Sequence, residues 1–140
     1  MKQDFNKKIA IVVDKNIDNW QVLNAVAHAS AYIGNKLSDN FITGDYFETK
    51  DHVKHPRNSQ FPIIVLSAKS GQLKKLVNEI RNSGLLYLGF IKDMIETNDD
   101  EEIVEALSKK LDSEIEYLGI GFFGDKEQVN RLTKKFSLWK

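Results

Sequence analysis

Apolar residues recur along the chain in two patterns, which predict alternating strands and helices. Short apolar runs at residues 8–14 and 62–68 are rich in β-branched side chains and almost without alternation, as is typical of strands buried on both faces. Residues 85–91, 115–123 and 136–139 predict three further strands. Because helical segments separate most of the strands, we predict an α/β fold: a three-layer α/β/α sandwich with a mixed, mainly parallel sheet of four to five strands.

The first helix carries clear start and stop signals. Asp18 is followed three residues later by Gln21, a capping-box pattern, and Gly34 is expected to end the helix. Alanines at positions 25, 27, 29 and 31 would let its backbone lie close to a sheet. Gly119 and Gly121 fall inside the fourth predicted strand, where we interpret them as allowing another backbone to approach closely.

Three more helices have recognisable beginnings. Ser70 is expected to cap the second helix and Gly84 to end it. Residues 99–111 form a helix with an acidic start, which either suits the positive end of the helix dipole or holds a cation; the helix-start role is favoured. Asp125 and Gln128 form a second capping box before a short last helix.

Residues 38–60 are the least regular part of the chain. Residues 41–47 could form a short strand or hairpin with Gly44 at a turn or bulge, and residues 48–60 read as a surface loop. No linker or repeat divides the sequence, so we expect residues 1–140 to form a single domain with an insertion at 38–60.

Composition narrows the classes of function. The 140 residues carry 20 Lys+Arg against 20 Asp+Glu, which argues against a generally basic nucleic-acid binder. The absence of cysteine removes disulfides and thiolate chemistry, and no apolar run approaches the ~20 residues of a membrane span. With no signal-peptide pattern at the start, we expect a cytoplasmic protein without membrane contact. Phosphate-loop, dinucleotide and nucleophile-elbow motifs are also missing, and we expect no cofactor.

The histidines and tryptophans give weak signals. His52 and His55 lie three apart in a predicted loop without further marked ligands, so no metal site is predicted. His28 lies in the alanine-rich helix, where packing is favoured over a site-lining role. Trp20 is interpreted as a hydrophobic anchor and Trp139 as part of a docked tail or a homodimer contact, although either could stack on a base.

Polar side chains follow three of the predicted strands and suggest a site at one edge of the sheet, because ligands of open α/β sheets bind beyond the carboxyl ends of the strands. Helix capping explains such residues equally well. The candidates are Asp14, Lys15, Asn19 and Gln21 after the first strand, Lys69, Ser70 and Gly71 after the second, and Lys92, Asp93 and Thr97 after the third.

Several of these residues belong to segments that resemble peptidyl-tRNA hydrolase II. The first strand and helix, with Ala-His-Ala at 27–29, resemble that family's opening unit. Asp93 and Thr97 match its Asp-x-x-x-Thr segment, and residues 117–122 resemble its closing strand. The resemblance implies that Asp93 and Thr97 support ester hydrolysis.

A closer resemblance covers nearly the whole chain. It is to an uncharacterised family catalogued as domain of unknown function two thousand, interpreted as a branch of the same fold. The segments that carry it are residues 11–14, 61–65, 70–73, 99–101 and 132–139. This family has no established activity to transfer.

The chain departs from the hydrolases at the turn before the first helix. Positions that carry lysines there are Asn16, Asn19 and Gln21 here, and Lys15 is one place off. Because loss of one oxyanion donor costs roughly 100- to 1000-fold in rate, efficient peptidyl-tRNA hydrolysis is not expected, and tRNA is not an expected partner.

Three hypotheses follow. The leading one is a diverged domain that binds a small molecule or a protein in a cleft near Asn19, Gln21, Lys69, Asp93 and Thr97. An alternative is a hydrolase of peptidyl-tRNA or another acyl ester or amide, in which Asp93 positions water, Thr97 supports it, and Lys69 or Lys92 supplies the cation. A second alternative is a self-associating scaffold that uses residues 136–139.

Overall fold

Seven strands and five α-helices make up the part of the chain that the computed structural model describes, residues 3–140 without the side chain of Ser70. The strands are β1 (Lys7–Asp14), β2 (Tyr46–Glu48), β3 (Lys54–Pro56), β4 (Ile63–Ala68), β5 (Leu86–Ile91), β6 (Tyr117–Asp125) and β7 (Ser137–Leu138). The helices are α1 (Asn19–Leu37), α2 (Ser70–Ser83), α3 (Lys92–Glu96), α4 (Asp100–Ser108) and α5 (Lys126–Thr133).

Five strands form a mixed sheet in the order β5-β6-β1-β4-β7. The α/β class and the mixed sheet are confirmed, but the expectation of mainly parallel pairing is wrong. Only β1 and β4 pair in parallel among the described strands, and the other neighbours are antiparallel. β1, β4 and β5 nevertheless run in the same direction, so their carboxyl ends share one edge.

The helices between β5 and β6 are short, and β6 runs antiparallel to β5. α4 has nine residues and spans about 13 Å, whereas the six residues of β5 extend for about 20 Å. β6 enters the sheet at the edge where β5 ends.

Helices cover both faces of the sheet. α1 packs on one face through Ala25 and Ala29, and α2 and α5 pack on the other. A Cβ added to Gly121 would lie 2.5 Å from the Cβ of Ala29, and one added to Gly119 would lie 3.4 Å from that of Ala25. The close approach expected at both glycines is confirmed: they make room for the alanine face of α1.

Several helix boundaries differ from the predictions. α1 continues past Gly34 to Leu37, and the nearest atom to a Cβ added at Gly34 would belong to the ring of Phe41, 4.0 Å away. α2 begins with Ser70 as its first residue and Lys69 as its N-cap, and it ends at Gly84 (φ 68°) as expected. The predicted helix at 99–111 ends at Ser108, and α3 was not predicted.

The segment between α1 and β4 folds into a β2–β3 hairpin apart from the main sheet. Its turn lies at residues 49–53, where Thr49 and Val53 hydrogen-bond, and not at Gly44 as expected. Residues 48–60 are therefore not all loop. The Gly44 amide instead donates to Asn58 O, and the Arg57 side chain covers the glycine.

The two tryptophans occupy different environments. Trp20 is 52% exposed at the start of α1, which contradicts its interpretation as a hydrophobic anchor. Trp139 packs against the α1-face core, and its amide donates to Val65 O at 3.0 Å. The expected last strand is confirmed as β7, which pairs with β4.

Candidate functional site

The sheet order separates the candidate residues that sequence reasoning placed together. β6 lies between β5 and β1, so β5 is two strands from β1 and three from β4. At about 4.8 Å per strand, the ends of β5 and β4 are roughly 14 Å apart. Lys69, after β4, and Asp93, after β5, therefore share an edge without sharing a site.

Asn19 and Gln21 lie at the beginning of α1. Asn19 is its exposed first residue, and Gln21 Oε1 accepts a hydrogen bond from the Asp18 amide at 2.9 Å. This is the predicted capping box. Neither residue lines any of the three cavities described below.

Lys69, Ser70 and Gly71 lie where α2 begins. The Lys69 amide donates to Gln72 Oε1 at 3.1 Å, again a helix-start contact, and the Lys69 side chain is exposed. Gly71 borders a cavity of about 580 Å³ along α2. The prediction for the Ser70 side chain lies outside the described residues.

Asp93 is buried and ion-paired. It is 4% exposed, and its Oδ2 accepts a hydrogen bond from Lys110 Nζ at 2.7 Å. This hydrogen bond is the main reason why the pKa of Lys110 is raised. Asp93 Oδ1 is buried without a hydrogen-bond partner among the described residues. The cation beside Asp93 is thus Lys110, which sequence reasoning missed.

Lys92 is engaged elsewhere. Its Nζ lies 3.5 Å from Glu116 and 3.6 Å from Glu96, and these carboxylates, Glu116 first, raise its pKa. The side chain is about half exposed, so these pairs contribute little to stability. The structure brings neither Lys92 nor Lys69 to the Asp93 carboxylate.

Thr97 ends α3 and faces a different cavity. Its Oγ1 donates to the backbone carbonyl of Asp93 at 2.7 Å and does not contact the carboxylate. The hydroxyl borders a cavity in which Asp93 takes no part. Asp93 and Thr97 are therefore neighbours in the backbone, but their side chains face different surroundings.

The cavity beside Thr97 has a volume of about 690 Å³ and lies between α1, the edge strand β5 and the α3–α4 connection. We call it the His28 cavity. Its apolar wall consists of Ala31, Leu88, Phe90, Met94, Ile95 and Ile103, and its polar rim of Asn24, His28, Tyr32, Asn35, Thr97, Asn98, Asp99 and Asp100. No lysine or arginine of the described chain lines it.

One face of α1 lines the cavity. Residues 24, 28, 31 and 35 recur at helical spacing beside the buried stripe of Ala25 and Ala29. The ring of His28 stacks on Phe90, with centroids 5.6 Å apart and planes inclined by 20°. Neither ring nitrogen has a partner among the described residues, so both face the cavity or solvent. His28 therefore packs, as expected, and also lines a cavity.

The acidic start of α4 forms the far rim. Asp99 Oδ1 accepts from the Glu102 amide at 2.9 Å, and Glu102 Oε2 accepts from the Asn98 amide at 2.8 Å. This reciprocal capping fits the helix-start interpretation. Within residues 3–140 no three His, Asp or Glu side chains come together as a metal-binding group.

The fold and the cavity define a class of protein: a small α/β domain with a ligand-sized cavity between its longest helix and an edge strand. The chain belongs to the family described as Protein of unknown function (DUF2000), whose sequence model matches residues 7–140.

Comparison with known structures and proteins supports the fold and gives no information on function. A solved structure of a protein of unknown function from Agrobacterium tumefaciens superposes with a TM-score of 0.82 at 21% identity, covering 96% of this chain and 98% of that one. No curated protein matches. In the described part of the chain, no helix has the length and apolarity to cross a membrane.

Proposed function

We propose that this protein is a small-molecule-binding domain and that the His28 cavity is its binding site. The observation that carries the proposal is a roomy apolar wall beside hydrogen-bonding groups that the fold leaves unsatisfied. The His28 ring nitrogens are the leading example. Cavities of about 300–1,000 Å³ with few polar groups on an apolar wall are typical ligand sites.

The charge of the rim selects the ligand. Asp99 and Asp100 border the cavity, while no described lysine or arginine does. An anionic group would have no fixed cation to replace its hydration, whereas a cation would be attracted by the carboxylates. We infer a neutral or cationic molecule with a flat apolar part that lies along Phe90 and His28. This chemistry also argues against the phosphates of tRNA.

We further propose that the fold is a branch of the peptidyl-tRNA hydrolase II fold and that its hydrolytic activity is lost or redirected. In this proposal the chain forms a single, cytoplasmic domain, and residues 38–60 are an insertion in it. The pairing of Asp93 with Lys110 supports the loss, because the carboxylate is engaged away from Thr97. Peptidyl-tRNA turnover at the rate of a true hydrolase would contradict this proposal.

Three probes with one ring system test the charge preference. Indole is neutral, tryptamine is cationic and indole-3-acetate is anionic, and each can be titrated into the ¹⁵N-labelled full chain by NMR. We expect tryptamine to bind at least as tightly as indole, and indole-3-acetate more weakly than both. Amide shifts should centre on α1 and β5.

Two variants locate the binding. His28→Ala removes the stacked ring and should weaken indole and tryptamine by about tenfold, since an aromatic contact contributes roughly 0.5–1.5 kcal/mol beyond its buried area. The matched control is His52→Ala, since His52 is an exposed histidine in the hairpin turn. Tightest binding by indole-3-acetate, or equal losses in both variants, would contradict the proposed site.

A second candidate function has one observation in its favour. Asp93 presents a buried Oδ1 without a described partner beside the Lys110 ammonium, a pairing that could orient and polarise a water molecule. In a hydrolase, Asp93→Asn would lower turnover of an acyl ester or peptidyl-tRNA by at least about 100-fold. Unchanged turnover in a folded Asp93→Asn variant would rule out the role.

Self-association through residues 136–139 stays a prediction. β7 is an edge strand on which Leu138 is 56% exposed. An unprotected strand edge can pair with a second chain. Light scattering that shows only monomers at micromolar concentration would contradict a scaffold role.

A further inference from the structure

A second cavity lies at the same edge strand but on the opposite face of the sheet. It has a volume of about 390 Å³ and is bordered by Arg81 at the end of α2, by β5 and by the start of β6. We call it the Arg81 cavity. Its apolar wall is formed by Ile91, Leu107 and Ile115. None of its lining residues belongs to the His28 cavity.

One guanidinium organises the polar side of this cavity. Arg81 Nε donates to the Tyr87 hydroxyl at 2.9 Å, Nη2 donates to the Tyr117 hydroxyl at 2.6 Å, and Nη1 donates to Asp112 at 2.7 Å. Because the guanidinium is planar and its forks are fixed, both phenol oxygens are held beside it in a defined geometry.

The two phenols have hydrogen-bonding capacity left. Each hydroxyl oxygen accepts from Arg81, and neither hydroxyl proton has an acceptor among the described residues. A phenol can accept and donate at once, and accepting from a cation polarises its own O–H bond. Lys110 also lines the cavity, and only one of its three N–H groups is used, by Asp93. The cavity therefore offers donors from three side chains.

Space for a ligand depends on Gly89. A Cβ at this position would lie 2.8 Å from the ring of Tyr117, so the missing side chain lets that ring lie across β5. The ring is buried, which keeps the phenol desolvated and raises its pKa. A neutral donor in a dry site is suited to an anionic acceptor.

We propose that the Arg81 cavity binds the carboxylate of a small organic acid. The lining is rich in hydrogen-bond donors, which suits an oxyanion. The net charge around the cavity indicates how many negative charges that oxyanion would carry. Arg81 is paired with Asp112 and Lys110 with Asp93, and Glu96 and Glu114 also act on Lys110, so the surroundings have no excess of positive charge. Such a site accommodates one negative charge more readily than the two of inorganic phosphate. The apolar wall suits a short hydrocarbon tail.

The test is an NMR titration of the ¹⁵N-labelled full chain with sodium butyrate, sodium acetate and sodium phosphate at constant ionic strength. We expect saturable shifts of the Gly89 amide and the Arg81 Nε–H signal, with butyrate tighter than acetate and acetate tighter than phosphate. Tyr87→Phe removes one donor and leaves the ring, so it should weaken butyrate binding by about tenfold.

Two further variants make the result decisive. Tyr117→Phe removes the other phenol donor and should weaken butyrate similarly, while the matched control Tyr46→Phe, in the exposed hairpin, should not. Absence of saturable shifts up to roughly 50 mM butyrate overturns the proposal. So does unchanged affinity in Tyr87→Phe and Tyr117→Phe, and tighter binding of phosphate overturns the choice of a carboxylate.

Discussion

Replacing Gly121 with alanine tests how closely α1 packs on the sheet. The new Cβ would lie 2.5 Å from the Cβ of Ala29, whereas carbon atoms in contact are normally about 3.5–4.0 Å apart. Because Ala29 is attached directly to the helix backbone, no side-chain rotation relieves the contact. α1 must move away from β6 by about 1 Å or more.

Two opposing terms set the size of the effect. Overpacking a well-packed core costs about 1–3 kcal/mol, while alanine gains roughly 0.5–1 kcal/mol over glycine inside a strand. We therefore expect Gly121→Ala to lower the free energy of unfolding by about 1–2 kcal/mol. For a chain of this length, that corresponds to a fall in Tm of roughly 3–8 °C.

A compensating change isolates the contact. Ala29→Gly removes the clashing atom, after which the nearest neighbours of the new Cβ lie at 3.6 Å, an ordinary contact. Alone, Ala29→Gly should cost about 1 kcal/mol or more in helix propensity and burial. In the double variant, part of the Gly121→Ala cost should disappear, giving a coupling energy of about 0.5–2 kcal/mol.

Urea unfolding followed by far-UV circular dichroism measures all four members of this cycle. The control is Gly71→Ala in α2, where an added Cβ meets nothing within 4 Å, so this variant should be as stable as the parent or more stable by about 0.5–1 kcal/mol. Strictly additive effects of Gly121→Ala and Ala29→Gly would refute the close packing of α1 on β6.

Two further predictions concern pH and helix capping. Folding raises the pKa of Lys110 above 10.5 through Asp93 and that of Tyr117 above 10.0 through burial, so both groups keep their protons longer in the folded state. The stabilisation from both groups should be fully present below those values and should be lost as pH rises beyond about 10. In the Lys110→Gln variant, the urea concentration at the unfolding midpoint should therefore fall less between pH 9 and 11 than in the parent. An equally steep fall in that variant would contradict the assignment to Lys110. Asp99→Ala should destabilise α4 by about 1 kcal/mol, seen as faster amide hydrogen exchange in α4, and Asp100→Ala by less. Equal effects of the two would show that capping is not the cause.

The sequence predicted the features that depend on neighbours along the chain. The capping box of Gln21 and the left-handed end of α2 at Gly84 follow from short-range hydrogen bonding and backbone sterics. The prediction that α1 ends at Gly34 is wrong, because the helix continues through this glycine to Leu37. Glycines in the sequence thus marked residues at which a helix can end, but only one of these two glycines ends its helix.

The candidate site could be predicted only in part, because it depends on contacts between residues that are distant along the chain. The polar stripe of α1 that includes Asn24, His28 and Asn35 is readable as helical periodicity, but its position beside Phe90 depends on the place of β5 in the sheet. Lys110 is 17 residues from Asp93, and the whole of α4 lies between them. No pattern along the chain links the two residues.

The geometry of α3 accounts for the Asp-x-x-x-Thr spacing without catalysis. Thr97 lies four residues after Asp93, and its hydroxyl donates to the carbonyl of Asp93, which closes a single helical turn. The same turn directs the Asp93 carboxylate to Lys110 and the Thr97 side chain to the His28 cavity. Because this spacing has a structural role, its presence does not by itself indicate hydrolysis. The ligand binding that we propose would instead depend on the side chains of the cavity rim, above all on His28, whose nitrogens no other described residue engages.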